Sequence, residues 1–416
     1  MEKDALRERL EKNLPADMVR FLCAAGKAAH ERGVQLYLVG GVVRDLLLGR
    51  PNLDLDLVVE GDAIGLARQL ARTRRGKVVT HPRFGTAKLQ WRQGSVDLAT
   101  ARTETYRKPG ALPTVQPGSL EEDLFRRDFT INALAVRLNP DGYGELLDRH
   151  GGEGDLEQKL IRVLHERSFI DDATRIWRGL RYEQRLDFRF EAGTLGLLKR
   201  DINMLDTVSG DRTRHELEMV LKEDLPEKVL RRADELGVLA KLHPSLKGDE
   251  WLAGKFVQAR RVSAPGKTPP GLYLALLAYR LEAKEIRQLA DYLHLPKSLR
   301  QVLHDTASLK GRLKSLEEPE LKPSRICALL EGYQVLAITA SQVATDSTMA
   351  AGYIMRYLKT LRNVKPRLTG RDLEALGLPP GPQTGEMLQK LRDARLNGKV
   401  KTRKDEEALV MARLRS

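Results

Sequence analysis

Two aspartates, Asp54 and Asp56, stand two residues apart in the alternating stretch LDLDLVVEG, and this spacing constrains the chain more than any other feature. The alternation of apolar and polar residues predicts a β-strand. Residues two apart on a strand point to the same side. The two carboxylates then lie side by side and repel each other, so the strand needs a positive charge next to them.

Several groups can supply that charge. The simplest is a salt bridge with Arg44 or Arg50. A third acid, Asp97, lies in SVDLAT on another predicted strand and can converge on the same point. Two or three carboxylates on adjacent strands suit Mg²⁺, a hard cation that prefers oxygen ligands. Such ions align an attacking hydroxyl with the α-phosphate of a nucleotide and neutralise the departing pyrophosphate.

A glycine pair, Gly40 and Gly41, follows the apolar run VQLYLV and opens a predicted helix. Backbone N–H groups at a helix start attract phosphate, and Arg44, one turn later, adds a charge-assisted contact. A lone D-x-D is weak evidence, whereas a glycine pair, an early arginine and D-x-D together are distinctive. The stretch GGVVRDLLLGRPNLDLDLVVEG resembles the signature of the polymerase β nucleotidyltransferase superfamily. It is most similar to class II tRNA nucleotidyltransferases (CCA-adding enzymes) and bacterial poly(A) polymerases.

The string EEDLFRRDFTINALA, residues 121–135, carries the second motif. Asp128, Thr130 and Asn132 interrupt what would otherwise be a buried strand, and buried polar groups need partners. A junction with solvated charges is the plainer interpretation. The segment RRDFTINA resembles a motif of the same family. That resemblance implies that Arg127 contacts the bound nucleotide and that its neighbours help to distinguish ribose from deoxyribose.

The string SFIDDATRIWRGLRYEQRLDF, residues 168–188, predicts a helix that begins near Asp171. Asp172 and Arg175 are three residues apart and share a face at its first turn. Arg178 and Arg181 continue that face. A surface ion pair with a basic stripe is the ordinary interpretation of such a pattern.

Base chemistry favours a more specific interpretation. Cytosine and adenine each present an amino donor beside a ring-nitrogen acceptor, which an aspartate and an arginine match. Guanine and uracil reverse both groups, and a buried mismatch of this kind costs several kcal/mol. One helix face can therefore select C and A without a nucleic-acid template.

The same string is similar to the family's E-D-x-x-R motif. The resemblance implies that Asp172 and Arg175 recognise the base, while Arg178 and Arg181 support the nucleotide or the helix. Asp171 stands where the family has Glu, and its shorter side chain reduces the reach of that position. Downstream, GDRTRHELEMVL resembles the family's next helix, in which we expect Arg212 and Glu216, spaced i,i+4, to brace the structure.

The periodicities predict an α+β N-terminal head, built from a small mixed sheet with helices, followed by a helical remainder. The resemblance implies that these parts are a nucleotidyltransferase head and an all-α neck, body and tail. Residues 1–33 are typical of one helix, and KVVTHPRFGTAKLQWRQGSVDLATAR predicts two strands. The expected domains are a catalytic head, a neck with the base-recognition helix, a helical body and a basic tail: 1–150, 151–220, 221–320 and 321–416.

A segment rich in Pro, Gly and Thr, residues 103–120, is too long for a plain hairpin loop and suggests a mobile or functional element. It corresponds to the flexible loop of the family, which the resemblance implies resets the pocket for A.

The net charge of +14 and pI near 9.7 favour an acidic polymer as partner, most simply nucleic acid. Residues 356–416 hold 15 Lys and Arg against 7 Asp and Glu. Such a helical tail suits salt-sensitive, shape-based RNA binding, and the family contacts the tRNA acceptor stem and elbow here. Thr369 and Thr384 are expected N-caps of the tail helices.

Cys23 and Cys327 show neither metal-ligand spacing nor a disulfide framework, which favours a reducing cytosol. No run approaches the length of a membrane span, and no protein partner is implied. We therefore expect a cytoplasmic protein.

Together these features predict a template-independent enzyme that adds C and A to tRNA 3′ ends from CTP and ATP with Mg²⁺. Addition of CC alone, of A alone, or of a poly(A) tail uses the same motifs. A catalytically inactive RNA-binding adaptor is the alternative from another class, although retention of the paired acids argues against it.

Overall fold

The computed structural model describes residues 3–92, 94–108, 110–111 and 113–415. The chain divides into two compact units, Met1–Glu223 and Asp224–Ser416. The finer division into head, neck, body and tail stays a prediction.

The first unit contains every strand of the described residues. The strands are β1 (Gln35–Val39), β2 (Leu55–Glu60), β3 (Lys77–His81), β4 (Thr86–Trp91), β5 (Gly94–Thr100), β6 (Arg102–Thr105), β7 (Thr114–Pro117), β8 (Leu134–Arg137), β9 (Leu146–Asp148), β10 (Leu160–Ile161) and β11 (Arg189–Phe190). Seven of them form one mixed sheet in the order β3-β4-β5-β2-β1-β8-β9. The predicted mixed sheet of the head is confirmed.

The centre of the sheet positions the paired acids. Strand β1 lies between β2 and β8, and Leu36, Leu38 and Val39 on it are fully buried. Strand β2 runs parallel to β5. On β2, Leu55 and Leu57 are buried while Asp56 between them is exposed, as the alternation predicts.

The helices of the first unit flank this sheet and follow it. They are α1 (Lys3–Asn13), α2 (Ala16–Glu31), α3 (Gly41–Leu47), α4 (Ala63–Arg74), α5 (Leu120–Phe125), α6 (Gly152–Glu157), α7 (Ser168–Asp171), α8 (Thr174–Leu186), α9 (Ala192–Asp201) and α10 (Gly210–Leu221). Residues 1–33 therefore do not form the single helix that we expected. Pro15 lacks an N–H group and disfavours helical conformation at Leu14, so the helix breaks there.

Two further differences concern the strands. The stretch from Lys77 to Thr100 forms three strands rather than two, because turns follow both β3 and β4. In the expected loop, β6 and β7 pair antiparallel, with Thr105 opposite Thr114. The two strands thus form a β-hairpin. Pro109 and Leu112, which fall between them in sequence, lie outside the described residues.

The regular secondary structure of the second unit is helical in its described residues, as predicted for the body and tail. In the predicted all-α neck, however, β10 and β11 form a short parallel pair. Its helices are α11 (Pro226–Glu235), α12 (Glu250–Ser263), α13 (Pro270–Leu277), α14 (Ala283–Tyr292), α15 (Lys297–Arg312), α16 (Pro323–Leu330), α17 (Val335–Ala344), α18 (Thr348–Lys359), α19 (Gly370–Ala375), α20 (Pro382–Leu396) and α21 (Arg403–Leu414). Short 3₁₀ turns occur in both units: Pro82–Phe84, Thr130–Asn132, Ile202–Thr207, Leu239–Lys241, Leu313–Leu316 and Leu361–Asn363.

The tail helices have their own apolar cluster, which includes Leu373, Leu391 and Val410. Thr369 caps α19 as predicted, in a reciprocal capping box with Asp372. Thr384 does not cap α20. Gly381 occupies that position, and the Thr384 hydroxyl donates to the carbonyl oxygen of Pro379 instead.

No single helix in the described part of the chain is long and apolar enough to cross a membrane. One pair, Pro323–Leu330 with Val335–Ala344, meets the length and composition requirement only when combined across a bend of 111°.

Candidate active site

The turn before β2 fixes the two acids that open the strand. The Asn52 side chain accepts a hydrogen bond from the backbone N–H of Asp54 at 2.9 Å. The same side chain donates to Asp45 at 2.7 Å. Neither Asp54 nor Asp56 forms a carboxylate hydrogen bond or ion pair with another described residue, so the predicted alternative of a salt bridge to Arg44 or Arg50 is not realised.

The surroundings of Asp56 perturb its carboxylate. Loss of surrounding water, followed by the charge of Asp54, raises the pKa of Asp56 to about 6. Arg127 and Lys88 act in the opposite direction without cancelling the effect. This strand therefore concentrates negative charge that its protein neighbours leave uncompensated.

Asp97 lies next to the pair but is held differently. It is directly opposite Asp56 in the register of β2 and β5. Its Oδ2 accepts a hydrogen bond from Lys88 Nζ at 2.7 Å. Asp97 thus adds charge near Asp56, while its own carboxylate is already neutralised by a lysine.

The glycine pair turns the chain from β1 into α3. Gly40 has a φ of 76°, in the left-handed region that favours glycine. A Cβ atom there would lie 2.8 Å from Arg127 Nη1. Gly40 therefore provides both the turn and the space that brings Arg127 close to the start of the helix.

Arg44 is buried one turn into α3 and is held rigidly. Its Nε and Nη2 donate to Asp45 at 2.9 and 3.0 Å, and its Nη1 donates to Asn132 at 2.7 Å. Its guanidinium also lies over the ring of Tyr182, 5.2 Å from the centroid. These contacts fix the charge against the wall of the cleft.

The second motif places Arg127 and Asp128 on the same wall. Arg127 Nη2 donates to the fully buried Asp123 at 3.0 Å, and its buried Nε has no partner among the described residues. Asp128 forms a salt bridge with Arg178, with Oδ2 and Nη2 2.7 Å apart. Burial, the largest single influence, would raise the pKa of Asp128, but the charge of Arg178 and the hydrogen bonds from Asn132 and Arg178 together outweigh it, and the pKa is lowered.

Asp172 does not lie on the helix that carries Arg175. Helix α7 ends at Asp171, and α8 begins only at Thr174, so the predicted helix start near Asp171 is wrong. Asp172 has an extended backbone and accepts from the N–H and hydroxyl groups of Thr174 at 3.0 and 2.7 Å. An Asp that caps the following turn in this way interrupts a helix.

Arg175 lies at the first turn of α8 and is buried. Its Nη1 donates to Ser168 Oγ and its Nη2 donates to the carbonyl oxygen of Arg126, each at 2.6 Å. Although Asp172 and Arg175 do not share a helix face, both line the same cavity.

That cavity of about 480 Å³ unites most of the predicted site. The predicted residues that line it are Gly40, Gly41, Arg44, Asp54, Asp56, Arg127, Asp172, Arg175 and Arg178. Asp97 and Arg181 are the two that do not. Arg181 is buried instead between Glu216 and Glu223, at 3.2 Å from each, where it supports the helices.

Sequence reasoning missed other residues of the wall: Asn52, Glu104, Tyr106, Arg126, Tyr182 and Arg185. Asp128 and Asn132, the polar residues of the second motif, line the cavity as well. It also misassigned Arg212, which does not pair with Glu216. Arg212 Nη2 donates to Asp172 Oδ1 at 2.8 Å. The i,i+4 spacing favoured the local partner, and only the packing of α10 beside α8 shows the distant one.

No three His, Cys, Asp or Glu side chains of the described residues are grouped to hold a metal ion. The two unpaired carboxylates nevertheless fit Mg²⁺, which is commonly bound by one or two protein carboxylates together with substrate phosphates and water. Asp54 and Asp56 are the residues that would hold it.

Comparisons with known proteins identify the family. The poly(A) polymerase head domain matches residues 36–162, and a region described as the probable RNA- and SrmB-binding site of polymerase A matches 187–249. The chain is 37% identical to an A-adding tRNA nucleotidyltransferase of Geobacter sulfurreducens, over 95% of this chain and 47% of that protein. It is 33% identical to an A-adding tRNA nucleotidyltransferase of Halalkalibacterium halodurans, over 99% of this chain and 95% of that protein.

A CC-adding tRNA nucleotidyltransferase of Deinococcus radiodurans is 34% identical, over 91% of this chain and 90% of that protein. Among solved structures, a CCA-adding enzyme in its apo form II has a TM-score of 0.85 at 33% identity and 98% coverage of both chains. The Thermotoga maritima CCA-adding enzyme complexed with tRNA has a TM-score of 0.78 at 31% identity, also over 98% of both.

Fold and sequence thus define a nucleotidyltransferase with a poly(A) polymerase-type head. The chain belongs to the tRNA nucleotidyltransferase family. It spans about half the length of the Geobacter relative and nearly all of the Halalkalibacterium and Deinococcus relatives.

Proposed function

We propose that this chain is a template-independent tRNA nucleotidyltransferase that adds C and A to the tRNA 3′ end from CTP and ATP, releasing pyrophosphate. The observation that carries the proposal is the shared cavity: the acid pair Asp54 and Asp56 and the base-recognition pair Asp172 and Arg175 line one space of about 480 Å³. A nucleoside triphosphate held there would have its phosphates beside Asp54 and Asp56 and its base beside Asp172 and Arg175.

Asp54 and Asp56 form the catalytic end, with Asp97 adding charge beside them. The family generally depends on divalent metal, and we assign Mg²⁺ to the two unpaired carboxylates. When bound, the ion lowers the pKa of the attacking 3′-hydroxyl and neutralises charge developing at the α-phosphate. Asp54 and Asp56 would hold the ion, and the 3′ end of the RNA would approach beside them.

Gly40, Gly41 and Arg44 hold the triphosphate, together with Arg127. Gly40 and Gly41 carry no side chain that would keep phosphate from the backbone. Arg44 is fixed by Asp45 and Asn132, so it contributes positive charge without losing further side-chain freedom. Arg178 stays paired with Asp128 and lines the sugar side of the same space.

Asp172 and Arg175 select the base. Arg212 and Thr174 hold Asp172 Oδ1, which leaves Oδ2 to accept from the amino group of cytosine or adenine. Arg175 uses two of its five N–H donors on Ser168 and Arg126, which leaves donors for the ring nitrogen. Guanine and uracil reverse both contacts and leave buried groups unpaired.

The remaining parts of the chain bind RNA in this proposal. The positive segment 356–416 contacts the acceptor stem and elbow of tRNA, and the hairpin within 103–120 adjusts the cavity for A. We retain the domain assignments 1–150, 151–220, 221–320 and 321–416 on the same basis.

Addition of A alone is the second candidate. The Geobacter and Halalkalibacterium relatives both carry the name A-adding, and their identities of 37% and 33% match or exceed those of the CCA-adding structures. The Deinococcus relative, at 34%, is named CC-adding, so likeness alone does not separate the three specificities.

Three tRNA transcripts, lacking CCA, ending in CC and ending in CCA, test the proposal when each is incubated with CTP or ATP. Full CCA addition predicts CMP incorporation into the first, AMP into the second and nothing into the third. AMP on the second without CMP on the first identifies an A-adding enzyme. Long A tails on an unrelated RNA identify a poly(A) polymerase, and no incorporation on any RNA contradicts the proposal.

A further inference from the structure

A second cavity, of about 810 Å³, lies beside the first in the same unit. The two share the wall residues Glu104, Tyr106, Arg126 and Arg175. The proposed reaction assigns no role to this second space. A ligand bound in it would be separated from the nucleotide by side chains that contact both.

An aromatic cluster dominates the second cavity. Phe125, the last residue of α5, is 47% exposed, which is unusual for a large apolar side chain in a cleft. Its ring centroid lies 5.2 Å from that of His165 and 5.9 Å from that of His150, with interplanar angles of 33° and 43°. Three rings thus lie together in this cavity, with Phe125 in contact with both histidines.

The two histidines add polar ring nitrogens to this aromatic cluster of Phe125, His150 and His165. Burial lowers the pKa of both His150 and His165, and Arg175 lowers that of His165 further, so both rings are neutral near pH 7. His150 Nε2 is buried without a hydrogen-bond partner among the described residues. A buried polar atom of this kind calls for a ligand group that can pair with it.

The charges around the aromatic cluster exclude phosphate as the main ligand group. Five carboxylates line the cavity against three guanidinium groups. A flat, uncharged aromatic group with hydrogen-bonding edges fits better, and nucleobases have this character because every base has a stacking face.

We propose that the second cavity binds an unpaired nucleobase of the RNA 3′ strand, one or two positions behind the reacting terminus, stacked on Phe125 between the two histidines. The proposal rests on the proposed function, which supplies RNA as substrate. The shared wall at Arg126 and Arg175 then separates the base of the primer from the base of the incoming nucleotide.

Substitution of Phe125 by Ala tests the stack, with Phe84→Ala as the matched control. Phe84 is 41% exposed in the same unit and lines neither cavity. Loss of one base–aromatic stack is expected to raise the KM for a tRNA transcript ending in CC about tenfold, with the KM for ATP unchanged. Phe125→Tyr keeps the ring and should restore the wild-type KM. An unchanged RNA KM in Phe125→Ala, or a raised KM for ATP alone, would overturn the proposal.

A binding measurement without nucleotide separates this proposal from the reaction itself. Transcripts with 2-aminopurine at the next-to-last nucleotide or at the third nucleotide from the 3′ end should lose fluorescence on binding wild-type protein, Phe84→Ala and Phe125→Tyr, but not Phe125→Ala. Quenching at neither position in the wild type, or quenching retained in Phe125→Ala, refutes the stack. Because no transfer is required, a chain that binds and quenches but incorporates nothing fails only the proposed function.

Discussion

At the scale of single residues, the site combines charges that are paired with charges that are not. Arg44 and Arg178 are each paired with a carboxylate, whereas Asp54 and Asp56 have no cationic partner among the described residues. In the proposed function, arginines fixed in this way would arrange the substrate at little entropic cost, while unpaired acids retain the capacity to bind a cation. Residue type alone does not show which charged side chains are paired and which are unpaired.

Replacement of Arg175 by Ala should relax base choice, because the ring nitrogen of the incoming base loses its donor. We expect the ratio of kcat/KM for GTP to kcat/KM for ATP to rise at least about tenfold. This factor corresponds to only part of the free-energy cost of leaving a buried polar group unpaired. Single-turnover incorporation from each of the four nucleotides measures it.

Arg185→Ala is the matched control, since Arg185 lies on α8, lines the same cavity and bonds Glu223. This variant should change the rate without changing base preference. Unchanged selectivity in Arg175→Ala would remove Arg175 from base recognition.

At the scale of elements, α8 is tied to the segment after α5 by the pair Asp128–Arg178. Asp128 also accepts from the Asn132 side chain at 2.9 Å and so organises the 3₁₀ turn Thr130–Asn132. The buried polar residues of FTIN are thus paired, as the sequence required.

Asp128→Asn should destabilise the chain by about 1 to 2 kcal/mol at pH 7, because the half-buried Arg178 loses its counter-charge and a charge-assisted hydrogen bond. The pKa of Asp128 is lowered in the folded state, so its stabilisation is present above the ordinary value near 3.8 and is lost as pH falls through the lower folded-state value. The difference from wild type should therefore shrink as the pH falls below 3.8.

Urea unfolding at pH 7 and at the lowest pH where the wild type still folds measures this difference. Asp141→Asn, an exposed change of the same charge, is the control and should have little effect at either pH. An equal loss of stability at both pH values would contradict the ion-pair explanation.

The sequence predicted the elements whose periodicity is local. Three features could be predicted because neighbours along the chain determine them: the alternation around Asp54 and Asp56, the glycine turn and the Thr369 cap. The break in the helix at Asp172 could not be predicted. The i,i+3 spacing favoured a continuous helix, but the contact in which Asp172 caps Thr174 competes with it. The partners of Asp97 and Arg212 depend on strand register and helix packing, which the spacing of one segment does not contain.

At the scale of the whole molecule, an excess of positive charge accompanies a cavity that is itself close to neutral. Its walls carry six arginines and five acids, so the cavity contributes little to the net charge of +14. The segment 356–416, with eight positive charges in excess, is where we expect long-range attraction of RNA.

Lys401→Gln combined with Lys404→Gln should weaken tRNA binding and lower the slope of log Kd against log salt by about 1.5, if both exposed lysines contact phosphate. Lys27→Gln with Lys77→Gln, two exposed lysines of the first unit, removes the same charge as a control. Equal slopes for both double variants would exclude a special role of the tail. Filter binding at several salt concentrations measures the slopes.

The most direct test of the paired acids compares nucleotide transfer and tRNA binding in wild type and Asp54→Ala. Asp54 has no hydrogen-bonded side-chain partner among the described residues to lose, so the variant should fold and retain tRNA with an unchanged Kd. Transfer of CMP and AMP should fall below detection. Transfer at a rate near that of the wild type would contradict the catalytic assignment and leave only an RNA-binding role for this cleft.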